Sequence, residues 1–223
     1  KCCLVQPIAP GLANMINEQE GLYTLYLRGS EKGKKVDDMR VISSVSRCLN
    51  PYEAEGFEEM MKLAVSEDLE IIVSNTTESG IEFRDTDRVD DVPPESFPAK
   101  LTLLLKRRFE KGLDGFVFLP CELIDRNGDN LKKAVLQYAD LWNLGDGFKA
   151  WINEKNVFCN ILVDRINTGY PKGEDVGLPY EDNMVNTSEF FHLWVIETDY
   201  DLEKELPFTK AGLNVIVTRD QLE

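Results

Sequence analysis

The chain has 223 residues, 43% of them hydrophobic, which suits one large domain or one and a half ordinary ones and excludes general disorder. A formal net charge of −15 argues against nucleic acid or an anionic membrane surface as the main partner, because both reward clustered Lys and Arg. No apolar run approaches the roughly 20 residues of a membrane-spanning helix, and no signal peptide is visible.

The five cysteines (Cys2, Cys3, Cys48, Cys121, Cys159) are odd in number and lack CxxC spacing. That sets aside a disulfide framework and a zinc site, so no metal is expected, and a reducing cytoplasm is the expected compartment. His192 is the one histidine, and nothing around it supports a Ser-His-Asp hydrolase. Both ends read as cut: the chain opens inside a strand and closes just after another. The terminal Leu222-Glu223 resembles a cloning remnant.

In chain order, short β-rich runs alternate with helical segments. Strands are predicted at Cys2–Gln6, Tyr23–Arg28, Met39–Arg47, Leu69–Ser74, Gly115–Pro120, Asn160–Asp164, His192–Glu197 and Asn214–Thr218. Helices are predicted at Pro51–Ser66, Ala99–Lys111, Asp129–Leu141 and Gly145–Glu154. For the first helix, Asn50 is the expected cap, Pro51 suits the first turn, and Glu53 and Glu55 favour the positive end. The basic Lys106-Arg107-Arg108 reads as dipole compensation on a solvated face.

Leu69–Ser74 and Gly115–Leu119 are nearly continuous apolar runs, as expected of parallel strands buried on both faces. The alternation from residue 51 to 164 predicts an α/β fold: a Rossmann-like, mostly parallel sheet with helices on both faces. Tyr23–Arg28 and Met39–Arg47, joined by the polar stretch 29–35, read as an inserted β-hairpin with a long loop. Asp85–Pro98 reads as a surface loop and Lys172–Glu189 as a long polar crossover.

In an open parallel sheet, ligands bind beyond the carboxyl ends of the strands. Three predicted strands end in polar clusters: Ser74–Glu78, Pro120–Asp129 and Val163–Pro171. If the sheet is parallel, all three converge on one edge. Asn75 and Thr76-Thr77 carry donors and acceptors suited to a ribose or phosphate. Asn127 stands where a helix begins, near N–H groups that favour an anion or oxyanion, although it also reads as a plain cap. Arg126 and Arg165 suit a carboxylate, and Glu78 and Asp164 suit hydroxyl groups or proton transfer. Asp164-Arg165 also reads as a structural ion pair. No GxGxxG motif is present. If Cys2–Gln6 is a second strand, the glycine turn of a dinucleotide fold lies upstream.

Three segments, SNTTESGI (Ser74–Ile81), PCELIDRNGDNLK (Pro120–Lys132) and FCNILVDRINTGYP (Phe158–Pro171), together resemble the polyol-specific long-chain dehydrogenases, the mannitol dehydrogenase family. Val163–Ile166 looks like the family signature. Cys121–Asp129 is more similar to the branch that reduces hexuronates than to the mannitol enzymes. LVQPI (Leu4–Ile8) and FHLWVIE (Phe191–Glu197) share the resemblance, which runs from residue 1 to about residue 218.

The resemblance implies an NAD-dependent oxidoreductase that moves a hydride at a secondary alcohol or ketone of a small-molecule hexuronate, with no catalytic metal, in a bacterial cytoplasm. It implies an N-terminal Rossmann domain and a mostly helical C-terminal domain whose lysine, helped by Asn and His, handles the proton. Residues 1–223 then correspond to part of the NAD-binding domain. The first β-turn-α unit and the helical domain are absent, and the piece by itself is inactive. Carried over by position, Gln6, Asn75 and Thr76 are cofactor-side residues. Glu78, Arg126, Asp164 and Arg165 lie on the substrate side, and Asn127 polarises the carbonyl as a catalytic residue. Gln6 replaces the acidic residue that often selects NAD over NADP, so NAD rests on the family alone. A mannitol- or fructuronate-type enzyme, or a nucleotide-binding module without catalysis, stays open.

Overall fold

The computed structural model describes residues 1–173 and 176–221; the terminal Leu222-Glu223 lies outside the described residues. In chain order the elements are β1 (Cys2–Val5), α1 (Ala13–Glu18), β2 (Tyr23–Glu31), β3 (Lys34–Ile42), β4 (Val45–Leu49), α2 (Ala54–Leu63), β5 (Ile71–Ser74), α3 (Phe97–Glu110), β6 (Val117–Pro120), α4 (Asn127–Leu141), α5 (Gly145–Lys155), β7 (Val157–Phe158), β8 (Asn160–Asp164), β9 (Asn167–Gly169), β10 (Asn186–Glu189), β11 (Leu193–Glu197), α6 (Leu202–Glu205), α7 (Phe208–Ala211) and β12 (Val215–Thr218). They form two compact units, Lys1–Asn50 with Asp164–Leu193, and Pro51–Val163 with Trp194–Glu223. No helix among the described residues is long and apolar enough to cross a membrane.

The second unit carries the α/β core. β5, β6 and β7 form a parallel sheet in that order, Ile71 pairing with Val117 and Val117 with Val157. The two-residue period of a strand sorts its side chains onto two faces. On one face Val117, Leu119, Cys121, Cys159 and Ile161 join Ile196, Leu202 and Phe208 in one buried cluster, which brings β11, α6 and α7 to that side. At the alternate positions Phe118 stacks on Phe158 with centroids 4.4 Å apart and meets Phe116 edge-on. Helix α4 packs against β6 and β7 and lies next to α3 and α5, while α2 lies against α3. β11 pairs in parallel with β12.

Several boundaries and assignments differ from the sequence expectation. β6 is buried throughout, but Val73 of β5 is 56% exposed, because β5 is the outer strand of this three-stranded sheet. Helix α2 begins at Ala54 with Glu53 as its N-cap and no side-chain cap, so Asn50 does not cap it; Asn50 instead accepts from Gln6. Helix α3 begins at Phe97, capped by Ser96, whose hydroxyl accepts from the Ala99 N–H at 3.2 Å. Arg108 is not on a solvated face. It is 5% exposed, donates to the carbonyls of Ala64 and Ser66 at 3.1 and 2.9 Å and to that of Asp114, and lies over the Phe116 ring. A guanidinium can satisfy several orphan helix-end carbonyls at once, which makes burial affordable.

The stretch 85–98 is also not a free surface loop. Asp87 is 2% exposed and accepts from Glu95 N (2.7 Å), Ser96 N (3.3 Å) and the Tyr138 hydroxyl (2.8 Å). Burial alone would raise the Asp87 carboxyl, but the bonds from Ser96, Tyr138 and Glu95 outweigh it and hold the group below its ordinary value.

In the first unit β1 pairs in parallel with β4, and β3-β2-β10-β9 form a four-stranded sheet. The inserted hairpin is tighter than expected. β2 and β3 pair from Tyr23↔Ile42 to Glu31↔Lys34, leaving only Lys32-Gly33 as the turn, with φ of 51° and 77°. Two positive φ values match the twist of the flanking strands, so the polar 29–35 stretch extends the ladder instead of looping out. The single predicted strand 39–47 is two strands. The chain breaks at Ser43-Ser44 and changes partner, from antiparallel β2 to parallel β1. Within the predicted crossover, β10 adds in parallel to β2. Its residues Asn186–Glu189 have no apolar alternation, and pairing with β2 on one side and β9 on the other makes them a strand.

Candidate functional site

The parallel register sets the site. Ser74 pairs with Pro120, so two residues further on Thr76 comes level with Glu122 at the carboxyl edge of the sheet. Glu122 is 2% exposed. Its carboxylate accepts from Ser74 Oγ at 3.1 Å, from Thr76 N at 3.0 Å and from Thr76 Oγ1 at 3.0 Å. The first two sequence clusters therefore do converge, with Glu122 as the joint.

Asn127 continues this network. It is fully buried, and its Nδ2 donates to the carbonyls of Glu122 (3.0 Å) and Ile161 (2.8 Å) while Oδ1 accepts from Ile161 N (2.8 Å) and Gly128 N (2.9 Å). The amide thereby joins the β6–α4 connection to β8. Both of its N–H groups are spent, so the expected carbonyl-polarising donor is committed to main chain here. Close approach requires the next residue to be glycine: a Cβ on Gly128 would lie 2.2 Å from the Cys159 carbonyl oxygen.

Arg126 precedes α4 with φ 50° and ψ 50°, a left-handed conformation that costs a non-glycine residue about 1–2 kcal/mol. Such strain persists where the surroundings over-determine it. Here Nε donates to Asp129 (2.6 Å) and Nη2 to Glu197 (3.2 Å), so one guanidinium already faces two carboxylates. Its Nη1 is out of solvent contact without a hydrogen-bond partner among the described residues. Asn160 braces both acids, its Nδ2 lying 3.4 Å from Asp129 and 3.3 Å from Glu197. Asp129 and Glu197 raise the Arg126 guanidinium further, the hydrogen bond to Asp129 being the largest cause. A cleft of about 280 Å³ opens beside this group, lined by residues 122–126, 160–163 and 197. A larger cleft of about 400 Å³, between α2, α3 and residues 89–92, is away from the strand ends and holds none of the expected residues.

Asn75 and Glu78 are exposed, and Asn75 has no side-chain partner among the described residues. Thr76 is tied to Glu122, so its hydroxyl is engaged. The third cluster divides. Val163 belongs to the second unit's core and cleft, whereas Asp164 and Arg165 fall in the first unit. Asp164 is exposed, and Arg165 donates through Nε to the Glu189 carbonyl at 3.1 Å, not to Asp164. Gln6 is 7% exposed and closes the β1–α1 connection: Nε2 donates to the carbonyls of Ile8 and Ala9, both at 2.8 Å, and Oε1 accepts from Ala13 N at 3.2 Å.

Glu122, Asn160 and Glu197 are site residues that the sequence reading passed over. A signal for Glu122 existed: a hydroxyl at position 74 and another at 76 stand at matching offsets on the neighbouring parallel strand. Glu197 carried none, since it comes from a strand 71 residues away from Arg126 in sequence.

The fit to a dinucleotide rests on the donor set. The exposed carboxamide of Asn75 stands at the carboxyl end of a parallel sheet, the place where such folds take nucleotides, with the Thr76 hydroxyl beside it held by Glu122. Comparison with known proteins agrees with this architecture. The chain is 44% identical over 221 residues to altronate oxidoreductase of Bacteroides thetaiotaomicron, covering 96% of this chain and 46% of that protein. Its identity to altronate oxidoreductase of Bacillus subtilis is 43% over 225 residues, again over 46% of the relative. It thus spans about half the length of these curated relatives. Among solved structures, a ternary complex of Pseudomonas fluorescens mannitol 2-dehydrogenase with NAD and D-mannitol superposes with a TM-score of 0.74 at 24% identity, over 93% of this chain and 44% of that one. Substrate-free D-sorbitol dehydrogenase gives 0.72 at 26% identity, over 93% and 44%. The description "Mannitol dehydrogenase Rossmann domain" matches residues 1–210, and the chain belongs to that family.

Proposed function

We propose that the protein carrying this chain is an NAD-dependent oxidoreductase that interconverts D-altronate and D-tagaturonate. The observation that supports it most is the 43–44% identity to altronate oxidoreductases across nearly the whole chain. NAD, when bound, supplies the hydride acceptor. In this reading Asn75 and Thr76 at the end of β5 hold the cofactor side, and Glu78 closes the same wall. Gln6 shapes the β1–α1 connection instead of reading the ribose, because its amide is already used within residues 8–13.

On the substrate side, Arg126 offers Nη1, which has no hydrogen-bond partner among the described residues, to a carboxylate of the hexuronate. Its cover must shift before the two meet. Asp164 and Arg165, in the first unit, take the substrate-side role that their positions in the family motif imply. Asn127 is assigned to the reacting carbonyl only if its bonds to Ile161 and Glu122 yield; otherwise it aligns the strand ends that the substrate meets.

The test is NADH oxidation by the intact protein with tagaturonate, fructuronate and fructose side by side. Turnover of tagaturonate well above the other two is the expected result. Preference for fructuronate or fructose would move the substrate within the family. Turnover of none would overturn the enzymatic reading.

A further inference from the structure

Glu122 is a buried carboxylate at the strand ends that the proposed chemistry does not use. A carboxylate out of water is costly unless it is paired or fully hydrogen-bonded, and no Lys or Arg pairs with Glu122 among the described residues. All three of its side-chain partners come from one short stretch: Ser74 Oγ, Thr76 N and Thr76 Oγ1. On the other side, the Glu122 carbonyl accepts from Asn127, whose amide grips both main-chain groups of Ile161. One hydrogen-bonded chain therefore crosses three strand ends, from β5 through the β6–α4 connection to β8. Between its first two anchor points, Ser74 and Thr76, lies Asn75, which is exposed and has no side-chain partner among the described residues.

We infer that Glu122 is a positioning residue for dinucleotide binding: by clamping residues on both sides of Asn75 it holds that carboxamide at the sheet edge in one presentation. The inference rests on the dinucleotide reading above and names the residue that builds the site. It does not require the negative charge as such. A glutamine can accept from Thr76 N and Thr76 Oγ1 through its oxygen and donate to Ser74 Oγ through its nitrogen. Alanine can do neither and frees the stretch to move.

The experiment uses the intact protein and NADH as the probe, with binding read by the fluorescence of the bound nicotinamide. Wild type is titrated first; if it binds no dinucleotide, the functional reading fails before Glu122 is at issue. Where wild type binds, E122A is expected to weaken NADH by roughly 10- to 100-fold, as misplacement of a contact residue does. E122Q is expected to restore affinity to within about threefold of wild type. N75A supplies the second arm. It weakens NADH in the wild-type background, and its further effect in E122A is small, because an unclamped Asn75 contributes little. Unchanged NADH affinity in E122A would overturn the proposal, and so would full additivity of E122A and N75A. If E122A fails to fold, S74A removes one donor to Glu122 from the other side without touching a proposed cofactor contact; weaker NADH binding that is less than additive with N75A is then expected, and unchanged binding overturns the proposal. No rescue by E122Q would show that the charge matters and that positioning is the wrong account.

Discussion

Two buried carboxylates of the second unit hold two loops in similar ways with different consequences. Asp87 and Glu122 are both 2% exposed and each accepts three hydrogen bonds from nearby chain. The partners of Asp87 lead inward. Tyr138 of α4 also bonds Ser96 (2.8 Å) and Arg84, its ring meets Phe83 and Trp142, and Trp142 donates to the Asp87 carbonyl. The partners of Glu122 lead outward, to a stretch whose middle residue faces solvent. A buried carboxyl group fixes a loop in both places. What the loop presents on its far side separates a contribution to stability from a contribution to binding.

The largest expected effect is on Asp87. Replacing it with alanine strands two main-chain donors and a tyrosine hydroxyl, and should lower the unfolding free energy by about 3 kcal/mol in a urea titration. The folded fraction of D87A should bind NADH like wild type. Weakened binding at full folding would erase the distinction between the two carboxylates.

A smaller change is expected from Tyr138→Phe, which keeps the ring packing and removes only the hydroxyl. Loss of its bonds to Asp87, Ser96 and Arg84 should cost about 1–2 kcal/mol in the same titration, with no change in dinucleotide affinity. A loss well below that would mean that the Asp87 cluster is held by its main-chain donors alone.

A third effect sharpens the comparison through pH. Lys100, 3% exposed, donates to the Glu95 carbonyl at 2.6 Å beside Asp87, Glu95, Arg84 and the Tyr52 ring. Burial lowers it from 10.5 to about 8, against the pull of Asp87 and Glu95. Between those values the unfolded chain holds a proton that the folded protein has released, so stability should rise with pH across that window. Tyr138 acts with the opposite sign at higher pH. Burial raises its hydroxyl from 10.0 to about 12, so its stabilisation is lost as pH climbs through that range. Measured from pH 8 to pH 10, the stability of wild type relative to Lys100→Met should therefore increase. A flat difference would show that Lys100 does not titrate in the fold.

Much of the second unit was legible because its signals are local. β6 and β8 follow from apolar runs, β8 with the predicted bounds, and α4 follows from helical spacing. The polar bursts after Ser74 and Pro120 also marked the sheet edge correctly, since a ligand-binding edge must carry polar groups where a buried strand ends. Less legible were residues whose roles depend on a distant partner. Asn127 reads as a cap from its neighbours, yet its amide is taken by Ile161. Arg126 reads as a free cation, yet Asp129 and Glu197 occupy it. Arg108 reads as solvated, yet the end of α2 draws it inside.

The sequence by itself determined the alternation of helices and strands, the polar clusters that follow the buried strands and, through three ordered motifs, the family, because hydrophobic period and residue order are properties of the chain alone. Tertiary structure decided which of the polar groups are spent and which are free. Hydrogen-bonding capacity is finite, and only the register of neighbouring strands settles that Glu122 is consumed by Ser74 and Thr76 while Asn75, between them, keeps its amide open.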